Sequence, residues 1–466
     1  MVGIKGTGMT ALAEILSARG ALLSGSDGPE RFYTDAILES LGIPYAERFS
    51  ADHVTPETEL VIHSAAYIRA ENSELREALA RGIPVLSYPE ALGELSKGFD
   101  ATGVAGTHGK TSTTALVGTL LKALELPATV LAGSQVGGFG DRSALVLGER
   151  YLVAETCEYR RHFLFFHPRR IVLTAVEEDH LDYFRDLSDV RSAFVEYCLR
   201  LPDEGLLLYN CDDPGARSVA ETACGLRPSL RLIAYGQQAE GPYRIEEVCC
   251  EPGRVRFRLN GLTRELTTHV PGRHSAFNAA AAVALSLELL ADAGGEPTPQ
   301  VEETISRALE GFSGSRRRSE VVGSAGGVLF IDDYGHHPTE IARTLEGLRA
   351  FYPQRRLVVD FMSHTYSRTR RLLGAFGKAF AAADLVILHR IYASAREKDS
   401  GQIKGRDLYA EVRRNHPRVE YFEEPEEGVE FLLNELKAGD LFVTMGAGDN
   451  WRLGQAVLRR ISEGRA

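Results

Sequence analysis

A chain of 466 residues is too long for one ordinary hydrophobic core; at ~100–200 residues per domain it divides into two to four, and three are expected. Hydrophobic residues at 44% and charged residues at 25%, with no long polar tract, exclude a disordered or fibrous chain, and a net charge of −11 gives no general nucleic-acid footprint. Six cysteines without C-x-x-C spacing exclude a zinc framework and point to reduced thiols in a cytoplasmic setting.

The chain opens almost inside a glycine-rich turn, "GIKGTGMTALAEIL", with no signal-peptide pattern and with a first strand shorter than usual, as if trimmed. No uninterrupted apolar run reaches the ~18 residues of a membrane span. Short apolar or β-branched runs then alternate with helical patterns: "ELVIHSAA", "IPVLS", "YLVAE", "RRIVLTAV", "EGLLLYN", "RLIAYG", "VLFIDDYG", "RRLVVDF", "DLVILHR" and "DLFVTMGAG". This alternation predicts βαβ units and mostly parallel sheets, an α/β fold. "YRIEEVCCEPGRVRFRLNGLTRELTTHV" lacks helical period and predicts a small antiparallel hairpin insert. Seams before Gly103 and within Gly311 to Glu320 give expected domains 1–100, 101–313 and 314–466.

The second segment begins with a predicted strand through Ala101 to Val104, then Gly106, Thr107, His108, Gly109, Lys110, Thr111 and Ser112, then a helix with Leu116, Val117, Leu120, Leu121 and Leu124 on one face. Val104 stands where G-x-x-x-x-G-K-[ST] has its first glycine. The context is still that of a phosphate-binding loop. Glycines let the backbone wrap phosphates, the helix N-terminus offers unpaired N–H groups, Lys110 neutralises β/γ oxygens and the Thr111 hydroxyl reaches Mg²⁺. Glu155 at one strand end, and Glu178, Asp179, His180 and Asp182 after the next strand, lie where parallel sheets bind ligands and offer oxygen and imidazole ligands to the metal.

"GTHGKTSTT", "AETCEYRRHFLFFHP", "EEDHLDYF", "GRHSAFNAAAA", "FIDDYGHHPTE", "SHTYSRTR" and "GAGD" occur in this order, and the chain resembles the Mur ligases over essentially its whole length. The phosphate loop alone also admits folylpolyglutamate synthases. The outer motifs resemble the branch that adds L-alanine to UDP-N-acetylmuramate. The resemblance implies three domains: a Rossmann-like UDP-sugar domain, a central ATP-binding domain, and a Rossmann-like amino-acid domain. It implies ATP with Mg²⁺ (Mn²⁺ as a substitute) and a cytoplasmic monomer or weak homodimer that binds neither nucleic acid nor membrane.

Residue by residue, the resemblance gives UDP-sugar contacts to Gly6, Thr7, Gly8, Met9, Ser26, Asp27 and Ser64. It gives ATP contacts to Gly106 through Ser112, His274, Asn278 and Arg317, and metal ligation to Thr111, Glu155 and His180. It surrounds the amino acid with Tyr334, His336, His364 and Arg368, the last pairing with the α-carboxylate, and makes Lys110, Glu155, His180 and Arg368 the catalytic set. Several relatives bridge two metals with a carbamylated lysine; this chain has no lysine between Lys122 and Lys378. It departs from the pattern at Lys5, which either reshapes the UDP loop or brings an ammonium to the pyrophosphate, and at Ala175, Ser275 and Thr365. Without the resemblance, Asn278 reads as an unremarkable polar residue in an alanine-rich helix, Arg368 as a solvated helix start, and Arg316 to Arg318 either as a soluble linker or as a source of a cation for the phosphates. Two other activities stay open: a recycling ligase for a preformed tripeptide, and a regulatory paralogue that binds both nucleotides without ligation.

Overall fold

The structure, a computed structural model, describes residues 1–67, 70–180, 182–393 and 401–464. Their contacts divide into two units: Met1–Val176 with Arg191–Arg244 and Ala280–Ala308, and Glu177–Val190 with Ile245–Ala279 and Leu309–Ala466.

In the first unit Val2 bridges Ser26 on one side and His63 on the other, both in parallel. It therefore joins two short parallel pairs, Gly25–Ser26 with Tyr45–Ala46 and Val61–His63 with Val85–Ser87, into one small sheet. The helix Thr7–Ala18 follows, burying Met9, Leu12 and Ile15. Lys5, a departure that the sequence offered to a pyrophosphate, points inward instead. Its side chain is fully buried, its Nζ lies 3.1 Å from Asp35 and donates to the carbonyls of Gly28 (3.0 Å) and Glu30 (3.1 Å), and Tyr45 stacks beneath it. A charge so enclosed is held by its partners and ties the 28–47 segment to the first loop.

The larger sheet of this unit has seven strands, in the order Arg231–Tyr235, Leu206–Asn210, Arg170–Leu173, Asp100–Ala105, Tyr151–Glu155, Ala128–Val136, Arg142–Val146. All neighbours run parallel except the last pair. Its middle strands are apolar on both faces, with Leu152, Val153, Ala154, Ile171 and Val172 fully buried, as a covered parallel sheet requires. The registers Val104↔Glu155 and Ala105↔Leu173 bring three carboxyl ends side by side. Arg170 forks onto Asp100 at 2.6 and 3.2 Å and also meets Asp292, tying the end of the helix Arg273–Asp292 to the base of the sheet. That helix is long and apolar enough to span a membrane by length and composition alone, but most of its apolar window is buried.

The second unit contains a six-stranded sheet in the order Glu320–Ala325, Val328–Asp333, Asp440–Met445, Arg356–Phe361, Leu385–Leu388, Val419–Tyr421, parallel except for the first pair. Alternate residues bury opposite faces: Leu357, Val359 and Phe361 pack with Ile341, Leu345 and Phe380, whereas Phe330, Val358 and Phe442 pack with Leu432 and Leu453. The expected hairpin insert is a three-stranded antiparallel sheet, Ile245–Glu251, Arg254–Leu259 and Glu265–Thr268. The third strand was hidden by "NGLTRELTTHV", whose turn residues and charges obscure a run with two inward positions, Leu266 and Thr268. The basic run is no solvated linker. Arg317 adopts φ +57°, its Nε donates to Asp332 at 2.8 Å and its Nη2 to the Gly446 carbonyl at 2.8 Å, and its guanidinium lies 5.2 Å from the Tyr334 ring centre.

Within the first unit, Glu14 of the helix Thr7–Ala18 is 4% exposed, 3.5 Å from Arg142, and burial raises its pKa to about 7 despite that arginine. A carboxyl whose folded pKa lies above its unfolded value of 4.5 contributes stability that is full below pH 4.5 and lost as pH rises through 7. Glu14→Gln is therefore expected to raise stability at pH 8 by on the order of 2 kcal/mol and to change it little at pH 5. Urea unfolding at the two pH values checks this; an equal effect at both would contradict it.

Candidate active site

The strand Asp100–Ala105 ends at the glycine loop, and the helix Lys110–Ala123 begins immediately after it. The loop turns on two positive-φ glycines. Gly106 at +139° lies against Ala175, where an added Cβ would come within 2.9 Å of backbone atoms and strike the Thr174 hydroxyl. Gly109 at +79° is the N-cap of the helix and makes no side-chain cap, so the first turn keeps N–H groups for an anion. The loop is braced from the strand Arg170–Leu173: Thr107 N–H donates to Ala175 O at 2.8 Å, and the Thr174 hydroxyl donates to His108 O at 2.5 Å. Ala175, a departure from the family pattern, thus meets the loop through its carbonyl, which any residue provides.

Lys110 folds back over this loop. Its Nζ donates to the carbonyls of Gly106 and Thr107 and lies 3.0 and 3.2 Å from the two oxygens of Glu158, which is 1% exposed. Burial opposes the ammonium charge, but Glu158, with Cys157 and Glu155 behind it, outweighs burial and holds the lysine pKa above its ordinary value. Thr111 Oγ1 donates to Glu155 Oε2 at 2.8 Å, and Gly133 N–H donates to the same oxygen at 2.9 Å. A hydroxyl and a fixed carboxylate side by side form a hard-oxygen pair suited to Mg²⁺. Ser112 is half-buried in the same first turn.

The N-terminal residues assigned to the sugar nucleotide gather around the small sheet of the same unit. Gly6 caps the helix that starts at Thr7, whose hydroxyl accepts from Tyr33 at 2.8 Å; Gly8 packs against Tyr88, and Met9 is buried. Ser26 spends its hydroxyl on Glu74 at 2.5 Å, and Asp27 accepts from the backbone of Lys5 and Gly28 and from Tyr67. Ser26 and Asp27 are both below a tenth exposed, so they shape the loop edge, whereas Ser64 is half-buried beside Tyr67.

In the second unit His274 and Asn278 lie one turn apart, both half-buried, at the start of the helix Arg273–Asp292. Burial, then Arg343, lowers the His274 pKa to about 4, so the imidazole is neutral near pH 7. Ser275, another departure, turns its hydroxyl to the Gly272 carbonyl at 2.7 Å. The residues assigned to the amino acid do converge. Tyr334 and His336 rings meet edge-on at 5.3 Å, His336 and His364 at 5.9 Å, and His364 Nδ1 is 3.2 Å from Arg368 Nη1. Burial, then the Arg368 charge, lowers the His336 pKa to about 3. Thr365 holds φ +67° while its carbonyl accepts from Thr369 at 2.7 Å, fixing the turn that presents Arg368.

Arg368 is not the solvated helix start that its arginine-rich surroundings suggest. It is 5% exposed, and its Nε and Nη2 donate to Asp179 Oδ1 at 3.1 and 2.7 Å. Asp179, offered from sequence as a metal oxygen, gives its Oδ1 to this arginine. Burial works against its ionisation, but Arg368 and then His180 hold its pKa well below the usual carboxylate range. His180 adopts φ +52° and donates its own N–H to the same Oδ1 at 2.6 Å. Sequence reasoning missed three supports: Glu158 as partner of Lys110, the Gly133 amide on Glu155, and the Asp179–Arg368 pair. Each joins residues distant in sequence with no shared motif.

Replacing Gly106 with alanine forces a side chain into φ +139° against Thr174 and Ala175. Strain of ~1–3 kcal/mol in the nucleotide-ready loop is expected to weaken ATP binding about tenfold or more. Titration calorimetry with ATP checks this; unchanged affinity would contradict the loop assignment.

Three family models match in succession: "Mur ligase family, catalytic domain" at residues 1–100, "Mur ligase middle domain" at 104–286, and "Mur ligase, glutamate ligase domain" at 317–448. The UDP-N-acetylmuramate–L-alanine ligase of Treponema pallidum (strain Nichols) is 50% identical over 99% of this chain and 96% of its own length. The Borreliella burgdorferi enzyme of the same name is 37% identical over 97% and 96%. Among solved structures, UDP-N-acetylmuramate-alanine ligase MurC from Thermotoga maritima superposes with TM-score 0.76 at 26% identity, covering 98% of this chain and 97% of its own. Matched in succession by three Mur ligase models and 50% identical to a full-length Mur ligase, the chain belongs to the Mur ligase family.

Proposed function

We propose that the chain joins L-alanine to the lactyl carboxylate of UDP-N-acetylmuramate at the expense of ATP, the first amino-acid addition in peptidoglycan precursor synthesis, in the cytoplasm. The observation that carries this reading is the 50% identity, across almost the whole of both chains, to a ligase of that name. The chemistry explains the parts. A carboxylate is a poor electrophile, so its oxygen first takes the γ-phosphoryl group, with ADP leaving. The amine then attacks the acyl carbon of the acyl phosphate, and phosphate leaves as the amide forms.

The loop from Gly106 to Ser112 would hold the phosphates. Lys110 would leave Glu158 for phosphoryl oxygens and spread the developing charge. Thr111 and Glu155 would hold Mg²⁺, whose charge screens the phosphate oxygens when it is bound. His180 is the candidate for a second metal on the carboxylate side. Since no lysine occurs between Lys122 and Lys378, that site would use no carbamylated lysine from this span. In the second unit His274 and Asn278 would face the adenine and Arg317 a phosphate, while Tyr334, His336, His364 and Arg368 would hold L-alanine. In the first unit Gly6 to Met9, Ser26, Asp27 and Ser64 would form the edge that receives the UDP-sugar.

Phosphate release from MgATP is expected only when both UDP-N-acetylmuramate and L-alanine are present, with a matching mass gain of the sugar nucleotide. Lys110→Ala is expected to lower this rate by about a thousandfold or more while circular dichroism stays that of the parent. Release that requires the murein tripeptide instead, or binding of both nucleotides without release, would overturn the reading.

A further inference from the structure

Arg368 and Asp179 lie 189 residues apart in sequence, in the same unit, and each is 5% exposed. Both guanidinium contacts, at 3.1 and 2.7 Å, enter the single oxygen Asp179 Oδ1, which also accepts the His180 N–H at 2.6 Å. This end-on contact is not the two-oxygen fork that a guanidinium and a carboxylate make when nothing else constrains them. The backbone amide of His180, in its left-handed turn, anchors Asp179 independently of Arg368. The arginine, by contrast, is steered by His364, 3.2 Å from Nη1.

We propose that this ion pair is the recognition element for a free, zwitterionic α-amino acid. On binding, the substrate α-carboxylate takes the place of Asp179 on Arg368, and the α-ammonium takes the place of Arg368 on Asp179. The identity of the amino acid rests on the ligase reading above; the exchange itself rests on the pair. One internal ion pair becomes two pairs with the substrate, and no buried charge is left without its opposite, the condition a buried pair imposes. An α-amino acid carries its charges on neighbouring groups, matching partners that are in contact. A carboxylate without an amine would strand Asp179, and an amine without a carboxylate would strand Arg368. A peptide, whose termini are separated by its backbone, would satisfy only one of the two. The pair thus selects single amino acids before side-chain size is read, and gives Asp179 a substrate-binding part that its place in "EEDH" did not suggest.

The test compares the full-length parent with Asp179→Asn, in the presence of UDP-N-acetylmuramate and MgATP. The KM for L-alanine and the inhibition constant of propionate, which is L-alanine without its amine, are measured for both. The exchange predicts opposite shifts in the variant: the L-alanine KM rises about tenfold or more, because the ammonium loses its partner, while propionate binds about tenfold tighter, because Arg368 no longer has to leave a carboxylate. KM values for MgATP and the sugar nucleotide stay those of the parent. A merely structural part for Asp179 would weaken both ligands together, and an unchanged L-alanine KM would place Asp179 away from the substrate; either result overturns the proposal. A parent without L-alanine-dependent turnover would instead refute the ligase reading, whereas an active parent without the opposite shifts refutes only the exchange.

Discussion

The contact between Lys110 and Glu158 sets the terms for the rest of the molecule. A protein that must receive phosphates keeps cations near its interior, and a buried cation without a counter-charge is costly. Lys110 meets the condition with two loop carbonyls and a buried carboxylate. Arg368 meets it with Asp179, Arg317 with Asp332, and Lys5 with Asp35. The Lys5 side chain is fully buried, whereas the other three stand in segments that the proposed reaction uses. In that reading, anionic substrates enter by replacing internal carboxylates, so their arrival exchanges partners for charges that are already paired.

The parallel sheets supply the positions. In the first unit, Val104 pairs with Glu155 and Ala105 with Leu173 at the carboxyl ends of three adjacent buried strands. The loop, its oxygen pair and its bracing residues therefore follow from strand pairing. In the second unit the strands Val328–Asp333 and Arg356–Phe361, both parallel to Asp440–Met445, deliver "DDYGHH" and "SHTYSR" at the carboxyl end of the sheet. Side-chain chemistry is added at strand ends, which is where parallel folds bind ligands.

Much of this was legible in the sequence, because buried parallel strands read as short apolar runs; all ten runs singled out contain strands. What escaped notice was structure whose pattern lies between distant segments. The antiparallel edge strands Arg142–Val146 and Glu320–Ala325 carry exposed residues such as Val146 and Val321, and so lack a continuous apolar signal. Glycine spacing and the Lys-Thr pair revealed the phosphate loop, since its conformation is local. Lys5 looked like a candidate ligand because burial cannot be read from one residue, and the Asp179–Arg368 pair stayed hidden because its members lie 189 residues apart. The Arg316 to Arg318 run read either as a linker or as a source of a cation for the phosphates, and nothing in it showed that Arg317 is fixed by Asp332 and the Gly446 carbonyl.

The measurement to make is a crystal structure of the protein with Mg²⁺ and a non-hydrolysable ATP analogue. Lys110 is expected to leave Glu158, with its ammonium on the β- and γ-phosphate oxygens and the metal between Thr111 and Glu155. A nucleotide bound elsewhere while Lys110 remains on Glu158 would contradict this.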